Sequence, residues 1–213
     1  MKMLASGGTL RSVPAEPGRS RRTLAELTGL TSFPALATQR MRLRAWELAD
    51  AAKVDFLCRD RNIDGTSDTT PRICNTEQAR QWIARNLPAW DIASSLNWAV
   101  ISLLDDRLVG HVGLSELGQQ EGIARLSFWI GRDAESVING VDCVQAVLAF
   151  AFTLLRMSYV RARHASDEDF TAKVLTTIGM RRQRGTPPAP RGTPRLQDDS
   201  PWGISKSEWV GSL

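Results

Sequence analysis

Of 213 residues only three are cysteine, two are histidine and one is tyrosine. Each scarcity removes a class of function. Cys58, Cys74 and Cys143 are odd in number and show no metal-ligand spacing, so neither a disulfide framework nor a zinc-binding C-x-x-C pair is expected. Free thiols in a reducing cytosol follow, and with them a cytoplasmic location. With His111 and His164 alone, a histidine-rich metal centre is excluded, and no metal is expected. The longest mainly apolar stretch, Cys143 to Leu155, falls short of the roughly 18 residues that a bilayer demands, so it predicts a core helix and no membrane partner. Near the start of the chain, arginines follow a weak apolar patch and no hydrophobic segment comes after them, so no secretory signal is expected.

What is present is the composition of a soluble globular domain, 42% hydrophobic and 23% charged. The net charge of +4 is uneven. Residues 1–36 hold Lys2, Arg11, Arg19, Arg21 and Arg22 against Glu16 and Glu26, leaving the rest nearly neutral. A basic tail on a neutral body does not predict a nucleic-acid partner. Residues 1–36, rich in Gly, Ser, Pro, Arg and Thr, are expected to be a disordered extension, and 37–213 a single domain.

Met41 to Trp46 alternates like a half-buried strand, and Glu47 to Arg59 reads as a helix. Asn75, with Gln78 three residues on, predicts a capped helix whose Ala79, Trp82, Ile83 and Leu87 share a face. Asn97 to Leu104 and Leu108 to Leu114 form a hairpin about Asp105-Asp106-Arg107. In the second of these strands Gly110 and Gly113 permit close backbone approach. Ala124 to Ile130 alternates again, followed by the long apolar helix and a fifth strand, Tyr159 to His164. A short helix then runs from Asp167 to Ile178, with Gly179 as its cap. After a Pro- and Arg-rich loop at 183–198, Trp202 to Val210 reads as a final strand.

This order, with Arg107-Leu-Val-Gly-His-Val-Gly-Leu114 as the third strand and a closing Glu208-Trp209 pair, resembles the GNAT N-acetyltransferases, in particular their ribosomal-protein (RimJ/RimL-like) branch. The resemblance covers about 37–213. It implies an α/β (α+β) fold, a mixed central sheet of about seven strands flanked by about four helices. It implies an acyl-CoA-dependent N-acyltransferase that uses acetyl-CoA or another acyl-CoA. The acceptor would be a small-molecule amine or a protein N-terminus, and a homodimer is left open.

The resemblance places the cofactor along Phe128, Trp129 and Ile130, at the loop and helix start Asn139, Gly140, Val141, Asp142 and Cys143, and at Glu168. A helix start suits pyrophosphate because its N–H groups are unpaired and its dipole end is positive. The family loop is Arg/Gln-x-x-Gly-x-Gly/Ala, whereas Val137 to Asp142 has one glycine and no arginine. Asp142 followed by Gln145 is itself a capping pattern, which predicts that the Asp142 carboxylate occupies those N–H groups and repels a phosphate. At the catalytic positions the family's strand-four Glu is replaced by Arg125, which cannot be a base but can bind an anionic group. Thr171 keeps a hydroxyl able to protonate a leaving thiolate. Glu116 is the candidate that could deprotonate an amine, directly or through water. Cys143 at a helix start would have a lowered pKa, though it has no catalytic partner in sequence and reads as core. These departures carry a second reading, a GNAT-fold protein that binds or regulates without acetyl-CoA, or serves another reaction in the same cleft.

Overall fold

The computed structural model describes residues 29–30, 32–61, 75–87, 95–117, 122–131, 134–164, 169–182 and 200–210. They form one eight-stranded sheet. The strands are β1 (Leu36–Ala37), β2 (Met41–Ala45), β3 (Ser95–Ser102), β4 (Leu108–Ser115), β5 (Ile123–Ile130), β6 (Tyr159–His164), β7 (Arg181–Arg182) and β8 (Ser200–Ser205). Their spatial order is β1-β2-β3-β4-β5-β6-β8-β7. Every pairing is antiparallel except β5 with β6, which the long helix α3 (Val137–Thr153) makes parallel. The other helices are α1 (Ala51–Arg61), α2 (Thr76–Asn86), α4 (Asp169–Thr177) and α5 (Lys206–Val210). The expected fold class and element order hold, with the two short strands β1 and β7 added at the sheet edges.

Strand alternation divides the apolar residues between two layers. Leu43, Trp98, Val112, Leu126 and Ile130 join Val144, Val147, Leu148 and Ala151 of α3 in one core. Ala99, Ile101 and Trp129 join Trp46, Val54, Ala79, Trp82 and Ile83 in a second core beneath α1 and α2. Burying each of these large side chains stabilises the fold by about 1.5–3 kcal/mol. Leu30, Phe33 and Leu36, which the sequence places in the tail, pack on the first core. The Trp98 indole N–H donates to the Pro34 carbonyl at 2.6 Å, tying that segment down.

Local chemistry explains where elements start. Asn75 accepts from the Gln78 N–H at 2.9 Å, as its sequence predicts. The expected helix from Glu47 is instead a 3-10 turn, Leu48–Asp50, before α1. Asp50 is buried there and grips the Arg44 guanidinium with both oxygens, at 2.7 and 2.8 Å. Burial works against the Asp50 carboxylate, but Arg44 and the Glu47 N–H outweigh it and hold its pKa below the usual range. The expected final strand to Val210 ends at Ser205. A capping box explains the break, with the Ser205 N–H donating to Glu208 at 2.9 Å and the Glu208 N–H returning to the Ser205 hydroxyl at 3.3 Å.

Candidate active site

The sheet opens between β5 and β6. Their parallel pairing runs from Ile123↔Tyr159 to Leu126↔Ala162 and stops there. β5 continues to Ile130 and β6 to His164. The last four residues of β5, Ser127 to Ile130, therefore pair on one edge with β4 and have no strand on the other among the described residues. Backbone groups on that edge point into a fork. The side chains of Trp129 and Ile130 are buried in the two cores, and Phe128 stacks edge-on against Phe170 of α4, with centroids 6.4 Å apart. Of the expected cofactor residues on this strand, only the backbone faces the opening.

Beyond β5 the chain turns into α3, whose cap corrects the sequence expectation. The helix begins at Val137, and Ser136 is the cap, its hydroxyl accepting from the Asn139 N–H at 3.3 Å. The Asn139 side chain donates back to the Ala134 carbonyl at 2.9 Å. Asp142 lies in the second turn, not at the helix start, and pairs with Arg40 at 2.7 Å. It neither caps the helix nor stands at the anion position. Arg40 lies 102 residues away, so no local pattern reveals this partner.

The N–H groups of Val137 and Ile138 have no acceptor among the described residues. A 17-residue helix thus presents two open donors and its positive end beside the fork. Gly140 serves a different purpose from a phosphate-loop glycine. Its N–H donates to the Ser136 carbonyl at 3.1 Å, and a Cβ there would meet Val174 at 2.6 Å and Phe170 at 3.1 Å. The glycine lets α3 and α4 close on each other. Val141 is half-buried against the first core. Cys143 is buried, and burial with the nearby Asp142 charge pushes its thiol up to about 12. The expected lowering is therefore wrong and the packing reading holds. Glu168 lies outside the described residues.

On the face turned away from α3, the fork is bordered by a charged bracket. Glu116 follows β4 in a left-handed backbone conformation, φ 62°. Its Oε1 receives Arg125 at 2.7 Å. Its Oε2 receives Arg161, from Nε at 3.0 Å and from Nη2. Arg125 and Arg161 are register partners across β5 and β6, so without Glu116 two like charges would sit side by side. Both Glu116 oxygens are engaged, and this makes it a holder of arginines, in place of the free base the sequence suggested. Thr171 is buried in the first turn of α4. Tyr159 is half-buried over Gly203, where any Cβ would overlap its hydroxyl. Burial raises its pKa, so it stays a neutral phenol.

Further along the same face, His111 lies among three tryptophans. Its ring stacks with Trp46 and Trp129, each at 6.1 Å, and meets Trp82 edge-on at 5.5 Å. Burial pushes its pKa down to about 3, with a Trp98 backbone contact opposing. Its Nδ1 makes no well-formed hydrogen bond. No local pattern marks this cluster, because Trp46 follows β2, Trp82 lies in α2, His111 in β4 and Trp129 in β5. The cue was the pair of glycines around it.

A fork between parallel strands beside an open helix start is a place for an extended thioester. The family model described as an acetyltransferase (GNAT) domain matches residues 40–181. The chain belongs to the GNAT acetyltransferase family. Among relatives of this GNAT protein, the uncharacterised N-acetyltransferase p20 of Bacillus licheniformis is 24% identical over 179 residues, covering 83% of this chain and 98% of that one. The ribosomal-protein-S5-alanine acetyltransferase of Vibrio fischeri superposes with a TM-score of 0.66 at 10% identity, over 83% of this chain and 98% of that one. The spermidine N-acetyltransferase of Vibrio cholerae, solved with CoA and spermine, gives 0.63 at 16% identity, over 81% and 99%. At such identities the structural likeness is one of fold. Among the described residues no helix is long and apolar enough to cross a membrane, and no cluster of metal-ligating side chains occurs.

Proposed function

We propose that this GNAT protein transfers an acyl group, acetyl in the simplest case, from acyl-CoA to a primary amine borne by a protein N-terminus or a small molecule. The observation that carries the reading is the juxtaposition of the β5–β6 fork with the two open N–H groups at Val137 and Ile138. When bound, acyl-CoA supplies an activated thioester carbonyl and a thiolate leaving group. The edge of Ser127 to Trp129 turned away from β4 offers backbone N–H groups to polarise that carbonyl. The start of α3 holds the pyrophosphate by hydrogen bonds and dipole. A cleft of about 400 Å³ adjoins the same loop, with Phe56, Leu57, Val109, Gly131 and Ala134 in its lining. It gives the distal end of the cofactor an apolar surface. Thr171 is the candidate for proton return to the thiolate, and the Glu116 bracket fixes the arginines that border the acceptor side. No covalent enzyme intermediate is needed, because a neutral amine attacks the thioester directly.

The non-catalytic reading draws on three departures, the loop from Val137 to Asp142, Arg125 and Glu168, and the Arg40 pair takes only Asp142 away from the anion position. Calorimetric titration with acetyl-CoA tests the proposal. Binding in the micromolar range, with a rise in melting temperature, is expected. Absence of both heat and thermal shift at millimolar acetyl-CoA would return the non-catalytic reading to first place.

A further inference from the structure

The row of the sheet at the fork is Asn97–Gly113–Ser127. Asn97 pairs with Gly113 across β3 and β4, and Gly113 with Ser127 across β4 and β5. Ser127 is the first residue of β5 past its last partner in β6, so this row crosses the sheet where a thioester in the fork would end. Gly113 carries no side chain, and two neighbours occupy the space. A Cβ there would overlap Asn97 Oδ1 and lie 3.2 Å from both Cε1 and Nε2 of His111. The two atoms therefore sit close enough together for one nitrogen to reach both.

Asn97 Oδ1 receives no hydrogen bond among the described residues, and the imidazole of His111 has one polar contact, to the Trp98 backbone. The Asn97 amide nitrogen makes one long contact to Ser95, 3.4 Å. His111 is neutral, since its pKa of about 3 keeps it unprotonated at physiological pH. Behind it, the indole nitrogens of Trp46 and Trp129 and His111 Nδ1 are buried without partners. Leaving a buried polar atom unpaired costs about 1–3 kcal/mol each. Three in one cluster mean that the core side does not satisfy the imidazole. His111 Nε2 is not among these sealed atoms and lies at the gap left by Gly113, beside Asn97 Oδ1.

Resting on the acyltransfer reading, we propose that Asn97 and His111 form the subsite for the acceptor nitrogen, Asn97 Oδ1 and His111 Nε2 each accepting one of its N–H groups. The ligand class is an unhindered primary alkyl amine. Such a neutral amine has two N–H bonds and one lone pair. With both N–H bonds held from the sheet, the lone pair is left to face the fork. Attack then forms the C–N bond, breaks the C–S bond and releases one amine proton as the thiolate leaves and is protonated. His111 orients the amine as a hydrogen-bond acceptor and does not store its proton.

The test uses the full chain, with and without CoA, and two probe cations, ethylammonium and tetramethylammonium. Nitrogen-15 shifts of the Asn97 amide and the His111 ring are followed by NMR. Ethylammonium is expected to move both signals. Tetramethylammonium has the charge but no N–H and is expected to move neither. Gly113→Ala, whose Cβ displaces the Asn97 oxygen, is expected to abolish the response while acetyl-CoA affinity stays within twofold. Asn97→Ala, at a half-exposed site, serves as the second variant and is expected to raise the acceptor KM about tenfold with little change in acetyl-CoA affinity. An equal response to tetramethylammonium would assign the effect to the tryptophan faces and overturn the proposal. So would unmoved signals with ethylammonium, or an unaltered response in Gly113→Ala. Failure of acetyl-CoA to bind would strike the acyltransfer reading alone, since the amine shifts are read without CoA.

Discussion

The two halves of β5 are built from similar residues and differ in what holds them. Arg125 and Leu126 are paired on both edges, with β4 and β6, and Ile123 and Ala124 with β6. Ser127 to Ile130 keep β4 and lose β6. In the held half the charged side chains are spent on each other, Arg125 and Arg161 on Glu116. In the open half Trp129 and Ile130 are core, Ser127 and Phe128 are half-buried, and the backbone of Ser127 to Trp129 has no strand beside it on the edge away from β4. The contrast supports the proposed site, because Ser127 to Trp129 have no strand on the edge away from β4 and the start of α3 has open N–H groups. Loss of signature arginines and glycines from the loop matters less when the contacts come from the backbone.

The comparison predicts that the held half is structural. Removing the shared carboxylate in Glu116→Ala leaves Arg125 and Arg161 adjacent and uncompensated. Stability is expected to fall by about 2–3 kcal/mol in urea denaturation, while acetyl-CoA affinity changes less than twofold. A large loss of affinity with unchanged stability would reverse the roles of the two halves.

The tryptophan-lined His111 above the fork gives a pH signature. It is neutral in the fold down to about pH 3, whereas in the unfolded chain it titrates near 6.5. Its contribution is fully present above pH 6.5. It is lost progressively below that, because only the unfolded state takes up the proton, at about 1.4 kcal/mol per pH unit. The slope should flatten in His111→Gln. An identical slope in that variant would show that the imidazole is not the titrating group.

The smallest effect is expected at Asp142. The pair with Arg40 is partly exposed, and exposed pairs are worth about 0–1 kcal/mol. Asp142→Asn should cost under about 0.5 kcal/mol and leave acetyl-CoA affinity within twofold. A marked tightening would restore Asp142 to the anion position.

These cases show what was legible in the chain. Strand alternation gave the order of the sheet, and Asn75 gave the start of α2, because both are local. The start of α3 is ambiguous in sequence because Ser136-x-x-Asn139 and Asp142-x-x-Gln145 both fit a capping pattern. The choice between them is made by packing: α3 is needed as far back as Val137 and Gly140, which touch the first core and α4. Ser205-x-x-Glu208 was a local signal that the resemblance to a closing strand obscured. The amine subsite was illegible because it joins Asn97 to His111 through the missing side chain of Gly113, a contact no spacing rule describes. The Glu116 bracket likewise depends on registry across three strands.

The central claim is that open backbone donors at the start of α3 hold the anion of acyl-CoA. Val137→Pro tests it most directly. Proline suits the first helical position, where its missing N–H breaks no helix bond, and the preceding Ser136 is already extended, φ −141° and ψ 145°. Calorimetric titration of this variant with acetyl-CoA should show an affinity about tenfold weaker than wild type, about 1.4 kcal/mol, at an unchanged melting temperature. An affinity equal to wild type in a correctly folded variant would contradict the account.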